Sequence, residues 1–147
     1  MRHKTNINIQ NRKARHDYEI LDTYIAGVVL TGTEIKSIRE GKASLVDSHC
    51  YVDGLEVWMK ESYVAKYESG SYNNHDERRL RKLLLTKKEI RNLNKGVNVK
   101  GMTIIPLKMF INDKGLCKVE LALARGKKEY DKRQTIKERE LKREMQR

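Results

Sequence analysis

MTIIPLKMFINDKGLCKVELALA, residues 102–124, consists of two apolar-rich runs on either side of Asn112-Asp-Lys-Gly115. Asn, Asp and Gly are turn chemistry, because the short polar side chains bond nearby backbone and glycine accepts a positive φ. Such a turn between two apolar-rich runs predicts a β-hairpin. Pro106 lies inside the first run, where its missing N–H predicts an edge or a bulge. The pattern recurs upstream. SLVDSHCYVDGLEVWM, residues 44–59, alternates about Asp53-Gly54, a strong short hairpin signal, with Cys50 and Val52 sharing a face, as do Leu55, Val57 and Met59. YEILDTYIAGVVL, residues 18–30, predicts a long strand that ends at the turn around Gly32.

Between the strands lie two helix signatures. Thr31-Gly-Thr-Glu34 matches a capping box, with Ile35 and Ile38 turned inward and Gly41 placed as a stop. Thr86 and Glu89 form a second box within LRKLLLTKKEIRNLNKG, residues 80–96, with Ile90 and Leu93 inward and Gly96 at the end. The expected fold is mainly β with short helices, roughly six strands in hairpins, and a small antiparallel barrel fits better than a parallel sheet.

At 147 residues the chain is expected to hold one compact domain with tails. Residues 1–15 carry five Lys or Arg and no acid, which predicts a basic, flexible and mostly unstructured arm. The domain is then expected over residues 16–124, with a long polar loop at 66–79 and a basic tail at 125–147. Cys50 and Cys117 stand far apart in apolar segments and read as reduced core thiols. His3, His16, His49 and His75 have no metal-ligand spacing, so no metal is expected. No run approaches the roughly 18–20 apolar residues of a membrane span, and the opening lacks a secretory apolar segment, which predicts a cytoplasmic protein.

Charge then narrows the function. Lys and Arg number 32 against 20 Asp and Glu, a formal +12, which favours a polyanionic partner. The bases fall in three blocks: NRKARH at 11–16, ERRLRKLLLTKK at 77–88, and the tail. Tyr18 stands beside the first and Tyr130 within the last, and such rings stack on exposed bases. Tyr18 also reads as an inward strand residue. Asp17, Glu19 and Asp22 could hold a metal for phosphodiester cleavage, but on a strand Asp17 and Glu19 read more plainly as its solvent face. No catalytic residues or phosphate loop are apparent.

Four segments together carry a resemblance. NRKARHDY at 11–18, AGVVLTGTEIKSIREGKASLVDS at 26–48, RKLLLTKKEI at 81–90 and GKKEYDKRQTIKERE at 126–140 resemble, in order and spacing, the motifs of the SsrA-binding protein family (small protein B), partner of transfer-messenger RNA in bacterial ribosome rescue. The resemblance implies an oligonucleotide-binding-type barrel with accessory helices, no catalysis and no cofactor. It implies binding to the tRNA-like domain of transfer-messenger RNA, delivered with elongation factor Tu and GTP to ribosomes stalled in trans-translation. The implied RNA contacts are Lys13, Arg15, His16, Tyr18, Lys36, Arg81, Lys82, Leu84 and Thr86. The tail, through Lys127, Lys128, Tyr130, Asp131, Lys132, Arg133, Ile136, Lys137 and Glu138, is implied to become helical in the empty mRNA channel near the 16S rRNA decoding centre. This chain departs from the family at Ile25, where an acid is typical, at Thr86, where some members have an amide, and at Tyr130, where histidine is common.

Helix energetics agree with a tail that orders only on a partner. Its residues include ten bases and five acids, its apolar stripe is only Ile136, Leu141 and Met145, and Glu129–Arg133 and Glu138–Lys142 pairs add only about 0.2–0.5 kcal/mol each. Two other functions fit the composition: a structural ribosomal protein of barrel type, and a metal-dependent RNA-cleaving enzyme resting on the Asp17, Glu19 and Asp22 set.

Overall fold

The computed structural model describes residues 7–68, 74–127, 139 and 141. In chain order these form β1 (Asn8–Gln10), α1 (Arg12–Asp17), β2 (Tyr18–Val28), α2 (Gly32–Arg39), β3 (Ala43–Ser44), β4 (His49–Asp53), β5 (Glu56–Lys60), β6 (Tyr63–Val64), β7 (Arg81–Leu84), α3 (Lys87–Val97), β8 (Met102–Ile111) and β9 (Cys117–Gly126). All pairings are antiparallel. The main sheet runs β8-β4-β5-β7-β2-β9 and returns to β8, so it closes as a ring, with β1 added beside β8. β3 and β6 pair separately. Among the described residues no helix is long and apolar enough to cross a membrane.

The hairpin of residues 102–124 forms as its turn chemistry dictates. Asn112 Oδ1 accepts the Lys114 and Leu116 amides, and Gly115 takes φ +81. At Asp53-Gly54 the strands meet at Asp53 and Glu56, and Gly54 opens the two-residue loop with φ +61. Leu55 sits in that loop and is exposed, not turned to the face of Val57 and Met59.

Pro106 lies at a bulge, where the β8–β9 register skips Leu107. The skip changes which face is inward. Ile104 before it and Met109 and Ile111 after it enter the main core with Val119 and Leu121, whereas Ile105 and Leu107 turn the other way. There they meet Ala122 and Ala124 and are covered by Ala14 of α1, Tyr18 and Ile20. The near-continuous apolar run of β8 is thus explained by burial on both faces.

α1 and β1 overturn the expectation that residues 1–15 are unstructured, at least for residues 8–15. The reason is Asn11, a buried residue that composition counted only as polar. Its backbone N–H donates to the Leu107 carbonyl at the bulge (2.8 Å), its Nδ2 to the Pro106 and Leu45 carbonyls (2.9 and 3.0 Å), and its Oδ1 caps α1 at Ala14 N. One asparagine thereby ties the first turn of α1 to the bulge of β8 and to Leu45.

α2 and α3 carry both expected capping boxes. At the end of α2, Gly41 (φ +76) donates to Ile38 O and Lys42 to Ser37 O, a Schellman motif. Gly96 does a different job. α3 continues through it to Val97, and a Cβ there would collide with the Leu123 side chain, so the glycine permits close packing and does not stop the helix. β7 is a strand that the helix signature at 80–96 had absorbed. Cys50 and Cys117 are buried free thiols, and desolvation pushes Cys117 up to about 12.

Candidate nucleic-acid interface

Two groups of the expected RNA-binding residues occupy opposite ends of β2. At its start, α1 projects Lys13 and Arg15 into solvent. Lys13 Nζ lies 2.9 Å from Asp47 Oδ1, a contact that raises its pKa, and Arg15 lies 3.6 Å from Glu120. His16 Nδ1 is 2.9 Å from Asp17 Oδ1; a carboxylate accepts only, so Nδ1 donates in that contact. Tyr18 is half-buried on the smaller core and also lines a cleft of about 400 Å³ with Lys13, Asp47, Ser48, His49 and Thr103. The inward packing expected of Tyr18 is present, and the residue also borders the cleft. His49, Ser48 and Thr103 join the cleft from β4, the turn before it and β8; no local pattern links them to α1.

At the other end, Leu84 is 54% exposed and faces Gly27 across the β7–β2 pairing, beside exposed Ile25. Lys82 lies 3.2 Å from Glu56, and Lys36 of α2 sits 5.5 Å from the centroid of the Tyr67 ring. Thr86 is the N-cap of α3: its Oγ1 accepts the Glu89 amide at 3.2 Å and donates to Glu89 Oε1 at 2.9 Å. Its hydroxyl proton is already used in the capping box. β2 places Tyr18 opposite Gly126 and Gly27 opposite Leu84, so nine residues of strand, roughly 30 Å of contour, separate the two groups.

Arg81 is removed from the interface. Its side chain is fully buried, with Nε 2.6 Å from Glu34 Oε2 and Nη1 donating to Ser62 O and Oγ at 2.9 Å. Arg79 completes the fork on Glu34 at 2.6 Å. Of the six bases in ERRLRKLLLTKK, these two hold α2 against β7. Sequence registered their charge but not that Glu34 of α2 would turn inward to meet them.

Lys127 extends the β2–β9 pairing, its amide donating to Asp17 O at 2.9 Å. The remaining tail residues of the expected ribosome-facing set, Lys128, Tyr130, Asp131, Lys132, Arg133, Ile136, Lys137 and Glu138, lie outside the described residues. Glu19 pairs with Arg125 at 2.6 Å and Asp22 accepts from Tyr24 OH at 3.1 Å. Among the described residues no group of three or more His, Cys, Asp or Glu is placed to hold a metal.

The family model described as SmpB protein matches residues 8–147. The SsrA-binding protein of Parabacteroides distasonis is 61% identical over 142 residues, 97% of this chain and 93% of that one. That of Agrobacterium fabrum is 54% identical over 138 residues, 94% and 86% of the two chains. A solved structure described as "tmRNA-SmpB: a journey to the center of the bacterial ribosome" is similar with a TM-score of 0.72 at 51% identity, covering 84% of this chain and 86% of that chain.

Proposed function

This chain belongs to the SmpB protein family, the SsrA-binding proteins, and on that premise we propose that it is a non-enzymatic adaptor of trans-translation that binds transfer-messenger RNA and acts with it on the ribosome. The observation that carries this reading is the match over residues 8–147, which takes in both the β ring and the tail at high identity to curated relatives. The net charge of +12 supports it physically, because phosphate neutralisation releases counterions.

In this reading the ring is an oligonucleotide-binding-type barrel that grips the tRNA-like domain through Lys13, Arg15, His16 and Tyr18 at one end of β2, and Lys36, Lys82 and Leu84 at the other. Thr86 acts through its cap. Elongation factor Tu with GTP joins through the RNA, and the work is cytoplasmic. The tail, residues 125–147, probes the mRNA channel beside the decoding centre, where 16S rRNA phosphates offer the polyanion its ten bases require. Entry is possible only when message is absent, so the tail reports vacancy by steric competition.

The division of labour is testable with a cut placed by the structure. Ending the chain after Ala124 would remove the Tyr18–Gly126 and Glu19–Arg125 pairings and damage the ring itself. Ending it after Lys127 keeps them. We expect that shortened chain to retain its affinity for transfer-messenger RNA while peptide tagging on stalled ribosomes is lost. Parallel loss of both would overturn the assignment of separate roles to ring and tail.

A further inference from the structure

The solvent face of α3 carries a row of bases. At about 100° per residue, Lys87, Lys88, Arg91 and Lys95 fall within one arc of roughly 100°, opposite the side on which Ile90 and Leu93 are buried. All four are exposed, as is Lys100 in the turn toward β8. Glu89 is the only acid between residues 78 and 112, and its carboxylate is spent in the capping box on Thr86. None of these five bases meets a carboxylate among the described residues, whereas Lys13, Arg15, Lys42, Lys82 and Arg125 each do.

The row works against the helix that holds it. Lys87 and Arg91, and Arg91 and Lys95, are like charges one turn apart, an arrangement that destabilises a helix. Lys87 and Lys88 stand in the first turn, at the positive end of the helix dipole. Exposed Asn92 and Asn94 are poor helix formers. A polyanion laid along this face would relieve the charge repulsion and occupy the amides.

The make-up of the row selects among polyanions. Residues 81–101 include no aromatic side chain, so unpaired bases have nothing here to stack on. Lys87 to Lys95 spans about 12 Å of rigid helix. A double strand presents roughly one charge per 1.7 Å of its axis, so several phosphates fall within that reach. Cations and amides on a straight rod contact phosphate and 2′-hydroxyl oxygens, which hold a duplex without reading its sequence.

We propose that α3 is a phosphate rail for a base-paired stem of the partner RNA. Lys88, Arg91 and Lys95 neutralise phosphates, Lys87 and Lys100 extend the row at its two ends, and Asn92 and Asn94 bond to the sugar-phosphate backbone. The rail rests on the RNA-binding reading above and adds to it a sequence-independent grip on duplex.

The test titrates the full chain with transfer-messenger RNA and with a blunt RNA duplex of about 16 base pairs at several ionic strengths, with thermal unfolding alongside. In the triple variant Lys88→Gln, Arg91→Gln, Lys95→Gln the slope of log affinity against log salt should fall by about two to three for both RNAs, roughly one per lost phosphate contact. That variant should unfold at a temperature no lower than the parent, because the repulsion leaves with the charges. Arg91→Lys keeps the charge and should keep the parent slope. An unchanged slope, a loss confined to transfer-messenger RNA, or a lower unfolding temperature overturns the rail while the RNA-binding reading stands. A parent chain that does not bind transfer-messenger RNA overturns both.

Discussion

Glu34 is wholly buried, yet it accepts from the Thr31 amide at 2.8 Å and from the Arg79 and Arg81 guanidinium groups at 2.6 Å each. Burial by itself raises a carboxylate pKa; the bonds from Arg79 and Thr31 and the charge of Arg81 outweigh it and hold Glu34 below its ordinary range. A lowered folded value contributes stability that is complete above the unfolded carboxylate pKa of about 4.3 and is lost as pH falls through the folded value. Urea midpoints should therefore decline as the solution is acidified below about pH 4, and less steeply in Glu34→Gln. At neutral pH Glu34→Gln should cost about 3–5 kcal/mol, because it leaves the Arg81 charge buried and uncompensated. A Glu34→Gln variant as stable as the parent would refute this account.

Among the elements, α3 shows how packing overrules propensity. On an exposed helix Gly96→Ala would stabilise by about 1 kcal/mol. Here the added methyl meets Leu123, so the substitution should instead destabilise by about 1 kcal/mol, the low end of overpacking costs. The Leu123→Ala background supplies the check: there Gly96→Ala should become neutral or stabilising by denaturant titration, and an unchanged penalty would mean that Leu123 is not the obstacle. The β8 bulge makes the same point for strands. It puts Ile105 and Leu107 beneath α1, and α1 in turn carries Lys13 and Arg15 toward the cleft. The basic face at the start of β2 thus depends on one skipped residue in a strand at the far end of the chain.

At the scale of the whole molecule, the ring is unevenly sealed. β9 is paired along its length to both β2 and β8, whereas β4 meets β8 through the one pair Cys50–Ile104. Native-state hydrogen exchange should find the β9 amides slowest and the β4–β5 hairpin opening in a lower-energy step. Uniform protection around the ring would argue against a seam. Charge is uneven as well. Residues 40–77 carry eight acids and three bases in a chain whose net charge is +12, so the positive field belongs to the remainder, which holds α1, β7, α3, β8, β9 and the tail. That asymmetry orients the molecule toward RNA before any contact forms.

Much of this was legible along the chain. Turn residues at Asp53-Gly54 and Asn112–Gly115, the capping boxes at Thr31 and Thr86, and the bulge signal at Pro106 are local chemistry, decided by each residue and its near neighbours, and they fixed the mainly β hairpin architecture. The ordered set of basic motifs likewise pointed to the family whose model spans residues 8–147. What sequence alone left open depended on partners distant in the chain: Arg81 meeting Glu34 across 47 positions, Asn11 meeting Pro106 across 95, and Gly96 against Leu123. Whether a charge faces solvent or lies buried against a counter-charge, and whether a glycine ends a helix or admits a neighbour, is set by which surfaces the closed ring brings together. Local propensity and composition carry no record of those distant pairings; the three-dimensional register does.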